Sequence, residues 1–167
     1  TPRRELFALA PLINDIADGL GLPSDEIDWR TVVSPTVQVD ADRDHLYRVL
    51  NNLARNAAQA IESQRASLTK QHGQPPPRSQ ITISARREGL CTIIELNDDG
   101  PGVPPKAREH LFQAFKGGAR KGGSGLGLAI SAELIRAHGG TITLLDSDAG
   151  ATFRIDIPDR QAFATGS

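Results

Sequence analysis

The chain has 167 residues and a formal net charge of −1, with 38% apolar and only 4% aromatic residues. That length buries one sizeable core, resting on Leu, Ile, Val and Ala, and the near-zero charge gives no reason to expect nucleic acid or an anionic membrane as partner. No apolar run approaches the ~20 residues that span a bilayer, no signal peptide is recognised, and the single cysteine, Cys91, excludes an internal disulfide framework, so a reduced, cytoplasmic setting is expected.

From the start of the chain, Leu6, Leu9, Leu12, Ile13, Ile16 and Leu20 recur at helical spacing and predict a helix over residues 5–21, ended by Gly19, Gly21 and Pro23. Two short strands are expected at 27–33 and 36–39. The strongest helix begins near Asp40 or Asp42, either able to cap it, and carries the stripe Leu46, Val49, Leu50, Leu53, Ala57, Ala60, Ile61. Residues 63–79 turn polar and include Pro75-Pro76-Pro77, which predicts a flexible insertion, a loop or a frayed helix end. Strands at 81–87 and 91–96 form a probable hairpin through Glu88-Gly89. A Gly/Pro turn (98–105), a short helical piece (107–115) and a glycine-dense segment (117–127) follow. A helix over 127–138, ended by Gly139, precedes two last strands at 141–145 and 152–157; a polar tail closes the chain. This order predicts an α+β fold, a two-layer sandwich whose mixed, mostly antiparallel sheet is covered on one face by helices.

Three features bear on chemistry. Residues 117–128 place Gly123, Ser124, Gly125, Leu126, Gly127 and Leu128 at the start of a helix, with Lys116, Arg120 and Lys121 beside them. Glycines let backbone N–H groups approach an anion, and a helix N-terminus favours negative charge, so a phosphate site is one reading and a flexible surface loop the other. The spacing is neither a Walker loop nor a Rossmann fingerprint. Asp98 ends an apolar strand and opens Asp98-Asp99-Gly100-Pro101-Gly102, a carboxylate beside a clear wall or simply an Asp-Gly turn. Asn52 and Asn56 border the apolar stripe of the long helix one turn apart. An amide oxygen there suits a hydrated Mg²⁺ or merely bonds a neighbouring loop.

In that order, an asparagine-rich helix, Asp-x-Gly-x-Gly and Gly-x-Gly-Leu-Gly-Leu resemble the Bergerat-type nucleotide-binding superfamily of gyrase, heat-shock chaperones, mismatch-repair ATPases and histidine kinases. The resemblance runs from about Ala41 to Pro158 and includes a phenylalanine motif, Leu111-Phe112-Gln113-Ala114-Phe115. It implies ATP and Mg²⁺ as ligands. By it, Asn52 and Asn56 belong to the catalytic face and Asn56 holds the metal. Asp98 accepts from the adenine amine, Gly100 and Gly102 shape the adenine pocket, Thr152 supports it, and Gly125 and Gly127 offer N–H groups to phosphate. Phe112 and Phe115 anchor a lid over residues 116–123. Gln59 stands where many histidine kinases carry a lysine, so Arg55, Lys116, Arg120 or Lys121 is left to neutralise phosphate.

Other branches carry a glutamate that activates water where this chain has Asn52, and an amide has no useful basicity. With His138-Gly139-Gly140, that points to the histidine kinase branch. None of His45, His72, His110 and His138 has the setting of a phosphoacceptor. The resemblance therefore implies a catalytic domain that phosphorylates a histidine on a separate dimerisation domain, and through it a response regulator. Residues 1–5 would be the end of a linker and 6–158 the domain, itself monomeric, in a parent either free in the cytoplasm or anchored to the inner membrane. A serine kinase of the anti-sigma type and a non-catalytic binding module are the alternatives.

Overall fold

Pro11 decides where the first helix starts. A helix from residue 5 would place this proline in its interior, where it lacks the N–H that bonds four residues back and its ring clashes with that carbonyl. In the computed structural model, which describes residues 1–113, 125–146 and 149–160, the chain instead opens with a strand, β1 (Glu5–Ala8), and α1 (Leu9–Leu20) keeps Pro11 in its first turn. This corrects the helix expected from residue 5: Leu6, counted in the apolar stripe, is 61% exposed. β1 pairs antiparallel with β3 (Gln38–Ala41), two residues beyond the strand expected at 36–39. Gly21, at φ 69°, ends α1.

After β2 (Ile27–Val32) and β3, α2 (Arg43–His72) begins at Asp42, whose side chain accepts from the His45 N–H. The polar stretch, expected as a loop or a frayed helix end, is helical through His72. The reason is Arg65, buried although charged: its guanidinium donates to the carbonyls of Pro76 and Pro77 and lies 3.6 Å from Glu26. One inward arginine thus ties down the proline-rich return, and Gly73 in the left-handed region caps the helix with its N–H on Thr69 O.

β4 (Ser79–Glu88) and β5 (Cys91–Asp98) form the expected hairpin. α3 (Pro105–Arg108) is shorter than the helical piece expected at 107–115. α4 (Gly125–Ala137), β6 (Thr141–Leu145) and β7 (Ala151–Pro158) follow. The five-stranded sheet has the order β2-β4-β5-β7-β6; β2 and β4 are parallel and the remaining pairs antiparallel, a mixed, mostly antiparallel α+β sheet as expected.

Strand alternation sorts the two faces. Ile81, Ile83, Ile94, Leu96, Phe153, Ile155 and Ile157 lie in the core with Leu46, Val49, Leu50, Leu53 and Ile61 of α2 and Leu12, Ile13 and Ile16 of α1. The opposite face carries the ion pairs Arg86–Glu95 and Arg154–Asp156. Cys91 is half-buried, and burial raises its thiol above the ordinary value. No helix among the described residues is long and apolar enough to cross a membrane.

Candidate functional site

β5 ends at Asp98, which is fully buried because the register continues the core-facing series Ile94, Leu96, Asp98. Its neighbours across the sheet are Ile81 on β4 and Ala151 on β7. The following turn is fixed by a two-way bond: the Asp99 N–H donates to Gln80 O (3.2 Å) and the Gln80 N–H to Asp99 Oδ1 (3.0 Å). The Gly100 N–H then donates back to Asp98 Oδ1 at 2.9 Å, orienting the carboxylate.

The glycines around this carboxylate are there for space. A methyl group on Gly100 would lie 2.9 Å from Asp98 Oδ1 and 3.0 Å from Ile61 Cγ1 of α2. Gly102, at φ 78°, passes Gly150 so closely that a Cβ would sit 2.9 Å from its carbonyl oxygen. Gly150, at φ 70°, is pressed against the Asp98 backbone, where a Cβ would overlap the Asp98 carbonyl. A groove of about 640 Å³ lies beside the turn, bounded by Gly102 and Val103 on one side and Ala60, Ser63 and Gln64 of α2 on the other.

The second half of the site is the seam between α2 and α4. Asn52 spans it: Nδ2 donates to Gly127 O (3.4 Å) and to Ser131 Oγ (3.3 Å), and Oδ1 accepts from Arg55 Nη2 (3.1 Å). Ser131 is fully buried. Asn56, one turn on, is half-buried and has no side-chain hydrogen bond to another described residue; Gln59 follows on the same flank, also half-buried. α4 starts at Gly125, so the N–H groups of its first turn, Gly125 to Leu128, point out without helical partners. Leu128 is buried in the core and Gly127 half-buried. From Asn52 to Ile61, the residue beneath the Asp98 turn, the axial rise is about 13 Å. One helix therefore carries Ile61 beneath the Asp98 turn and Asn52 bonded to the first turn of α4, with Asn56 between them.

Thr152 does not belong here. It pairs with Asn97, whose Nδ2 donates to its hydroxyl at 2.6 Å, on the sheet face opposite the Asp98 side chain. The strand alternates, so the residue that faces the core beside Asp98 is Ala151, and the position expected to support the pocket is apolar. Phe115, Lys116, Arg120, Lys121, Gly123 and Ser124, with the lid at 116–123 and the tail from 161, lie outside the described residues. For Gly125 and Leu126 only the helical backbone is described. Phe112 is half-buried and edge-on to Phe153, 6.1 Å between centroids.

Gly150, Ile61 and Ser131 are site residues that reasoning from the sequence missed. Gly150 had a signal, a glycine directly before a strand register that ends opposite Asp98. Ser131 had one too, four residues after Gly127 on the same helix face.

At the far end of the seam His138 is buried just past α4. Its Nδ1–H donates to Leu134 O (2.8 Å), and its Nε2 accepts from the Asp42 N–H (3.0 Å). Burial, ahead of every other cause, lowers its pKa below 6.5. Asp42 is pulled the other way: burial would raise it, but N–H donation from Arg3 and His45 outweighs that and leaves it below 3.8. Arg4, buried alongside, donates to His138 O, Asp40 O and Pro158 O.

The three glycines are required by close packing around the Asp98 turn: a Cβ would crowd Asp98 Oδ1 and Ile61 from Gly100, the Gly150 carbonyl from Gly102, and the Asp98 carbonyl from Gly150. No cluster of three or more His, Cys, Asp or Glu able to hold a metal occurs among the described residues, so a cation beside Asn56 would draw its ligands from phosphate, water and the Asn56 amide.

Over residues 41–161 the chain matches the family described as histidine kinase-, DNA gyrase B- and HSP90-like ATPase, and it belongs to that family. Its relatives specify the branch. It is 35% identical over 128 residues to the sensory histidine kinase/phosphatase NtrB of Rhizobium meliloti, covering 75% of this chain and 33% of that protein. It is 33% identical over 125 residues to the nitrogen regulation protein NtrY of Azorhizobium caulinodans, covering 75% and 15%. Among solved structures, the catalytic domain of histidine kinase ThkA superposes with a TM-score of 0.76 at 25% identity, covering 94% of this chain and 96% of that one. The mycobacterial sensor histidine kinase MprB gives 0.74 at 26%, covering 94% and 98%. The chain is an ATP-binding catalytic domain of the histidine kinase type, and it spans about a third of the length of the NtrB relatives.

Proposed function

We propose that this chain binds Mg·ATP and transfers the γ-phosphate to a histidine on a separate phosphoacceptor domain of a two-component kinase. The observation that carries the reading is the arrangement along α2: a buried carboxylate turn beside Ile61, Asn52 bonded to the first turn of α4, and Asn56 between the two on the same helix, with an amide at 52 where a water-activating acid would stand. Asp98 accepts from the exocyclic amine of adenine, Gly100 and Gly102 keep the wall clear, and Asn56 gives Mg²⁺ its protein ligand. The metal's chemistry is neutralisation of phosphate charge, and this chain's work is positioning. Asn52 takes no proton from water.

Partners follow from the same reading: the histidine domain and, through it, a response regulator, the kind of protein with which ThkA was solved in complex. Nucleic acid has no place in this reading, the domain acts as a monomer, and its site faces the cytoplasm.

The test uses radiolabelled ATP. Alone, the chain is expected to bind it without labelling itself or hydrolysing it quickly. With the parent's histidine domain in trans, the label should move to a product that is acid-labile and alkali-stable, as a phosphoramidate is. The reaction should be slow, because the tether that supplies a local concentration of about a millimolar is absent. Rapid hydrolysis by the chain alone would favour an ATPase instead. Acid-stable label on the added protein would favour a serine kinase.

A further inference from the structure

We infer that Arg55 grips the terminal phosphate of the bound nucleotide, and that Asn52 is the positioning residue that aims it there. The inference rests on the ATP-binding reading and selects one cation from those the sequence offers.

Asn52 has only one way to sit. Gly127 O can accept but never donate, so the amide face turned toward α4 must be the Nδ2 side. Ser131 Oγ accepts from the same nitrogen. Oδ1 is thereby forced outward, away from α4, and it takes the Arg55 Nη2 proton at 3.1 Å. A guanidinium has five donors in a rigid fork, and this bond uses one of them. The head of Arg55 is thus held against Asn52, the residue that bridges to the first turn of α4, and Arg55 directly precedes Asn56.

Charge makes the same point independently. Between Asp44 and Glu62 α2 carries no acidic residue, but two arginines, Arg48 and Arg55, both exposed. Around Arg55 on the helix the polar neighbours are Asn51, Asn52, Asn56 and Gln59, all neutral. Among the described residues no carboxylate pairs with Arg55; its partner is the Asn52 amide. An unpaired cation beside a helix N-terminus is a place where two positive potentials add, and an anion relieves both. Arginine's fork suits two phosphate oxygens at once. Asn52 then has a use that a glutamate in its place would lose. A carboxylate would face the Gly127 carbonyl and would hold Arg55 in an ion pair, instead of leaving its charge for the ligand.

The test is calorimetry of Mg·ATP and Mg·ADP with the parent chain, Arg55→Gln, Arg55→Lys and Asn52→Ala, each checked for an intact thermal melt. Arg55→Gln should weaken ATP about tenfold or more and leave ADP within about threefold, because only ATP has the phosphate in question. Arg55→Lys should fall between, keeping charge but not the fork. Asn52→Ala should lose part of the same ATP-over-ADP preference, which a purely structural role would not touch. Equal losses for both nucleotides, or none, would overturn the inference while leaving the ATP reading intact. A parent that binds neither nucleotide overturns the ATP reading itself and this inference with it.

Discussion

Replacing Asp98 with asparagine tests the base end of the site with the least disturbance. The residue is fully buried, and its Oδ1 takes the Gly100 N–H at 2.9 Å. In Asp98→Asn that bond survives, because the amide oxygen can occupy the same position. The amide's NH₂ then stands where the second carboxylate oxygen was, and it meets the amine edge of adenine donor to donor. A buried donor left facing another donor costs about 1–3 kcal/mol, and a bond to a charged acceptor is lost as well. ATP affinity should therefore fall by about ten- to a hundredfold or more. Volume is conserved and the backbone pairing to β4 and β7 is untouched, so the melting temperature should move little. The assay is calorimetric titration of ATP, GTP and ADP against parent and variant, with melts in parallel. GTP should bind the parent poorly, since its carbonyl would confront the carboxylate. ATP affinity equal in parent and variant, with both folded, would refute the assignment of Asp98 to the base.

The other expectations act on separate parts of the molecule. Asn56→Ala should diminish the Mg²⁺ dependence of ATP binding more than ATP binding itself; an affinity in the parent that chelation of Mg²⁺ leaves unchanged would contradict the metal role. Gly150→Ala should cost at least about 1 kcal/mol in stability and displace Asp98, because its φ is 70° and its Cβ would overlap the Asp98 carbonyl; an unaltered melt and ATP affinity would show the cradle to be looser than drawn. Stability should also fall on mild acidification. His138 is held below its ordinary 6.5 by burial, so the unfolded chain takes the proton first; its contribution is complete above 6.5 and is lost as pH drops from there to the folded value, by at most about 1.4 kcal/mol per pH unit. Asp40 and Asp42, both below 3.8 in the fold, lose theirs only at still lower pH. A melting temperature constant between about pH 7.5 and about pH 5.5 would show that His138 accepts a proton in place.

Much of this was legible because the signals are local. The stripe from Leu46 to Ile61 fixes the long helix, capped by Asp42, one of the two aspartates the sequence offers, and the strand expected at 91–96 runs on to Asp98. What sequence reading lost was decided by partners far along the chain. Leu6 fits a helical stripe, yet Pro11 and pairing with Asp40 make it a strand residue. Arg65 looks like one more polar residue in a loop until the carbonyls of Pro76 and Pro77 are found at its guanidinium. Thr152 was misread by a single position. Which of Ala151 and Thr152 faces the pocket depends on the register against β5, and a one-residue difference sends a side chain to the other face.

The same register has a chemical consequence. With Ile81 on one side of Asp98, Ala151 on the other and Ile61 close beneath the turn, the sheet and helix offer the carboxylate no hydroxyl at those positions. The Gly100 N–H donates to it, and the Gly150 backbone passes close by. The phosphate end is built differently, from side chains: Asn52 clamps α2 to α4 through Gly127 and Ser131. In the proposed reading, a base site shaped by backbone selects one edge of one ring, and an amide at 52 that cannot take a proton from water leaves the terminal phosphate to a nucleophile brought by another domain.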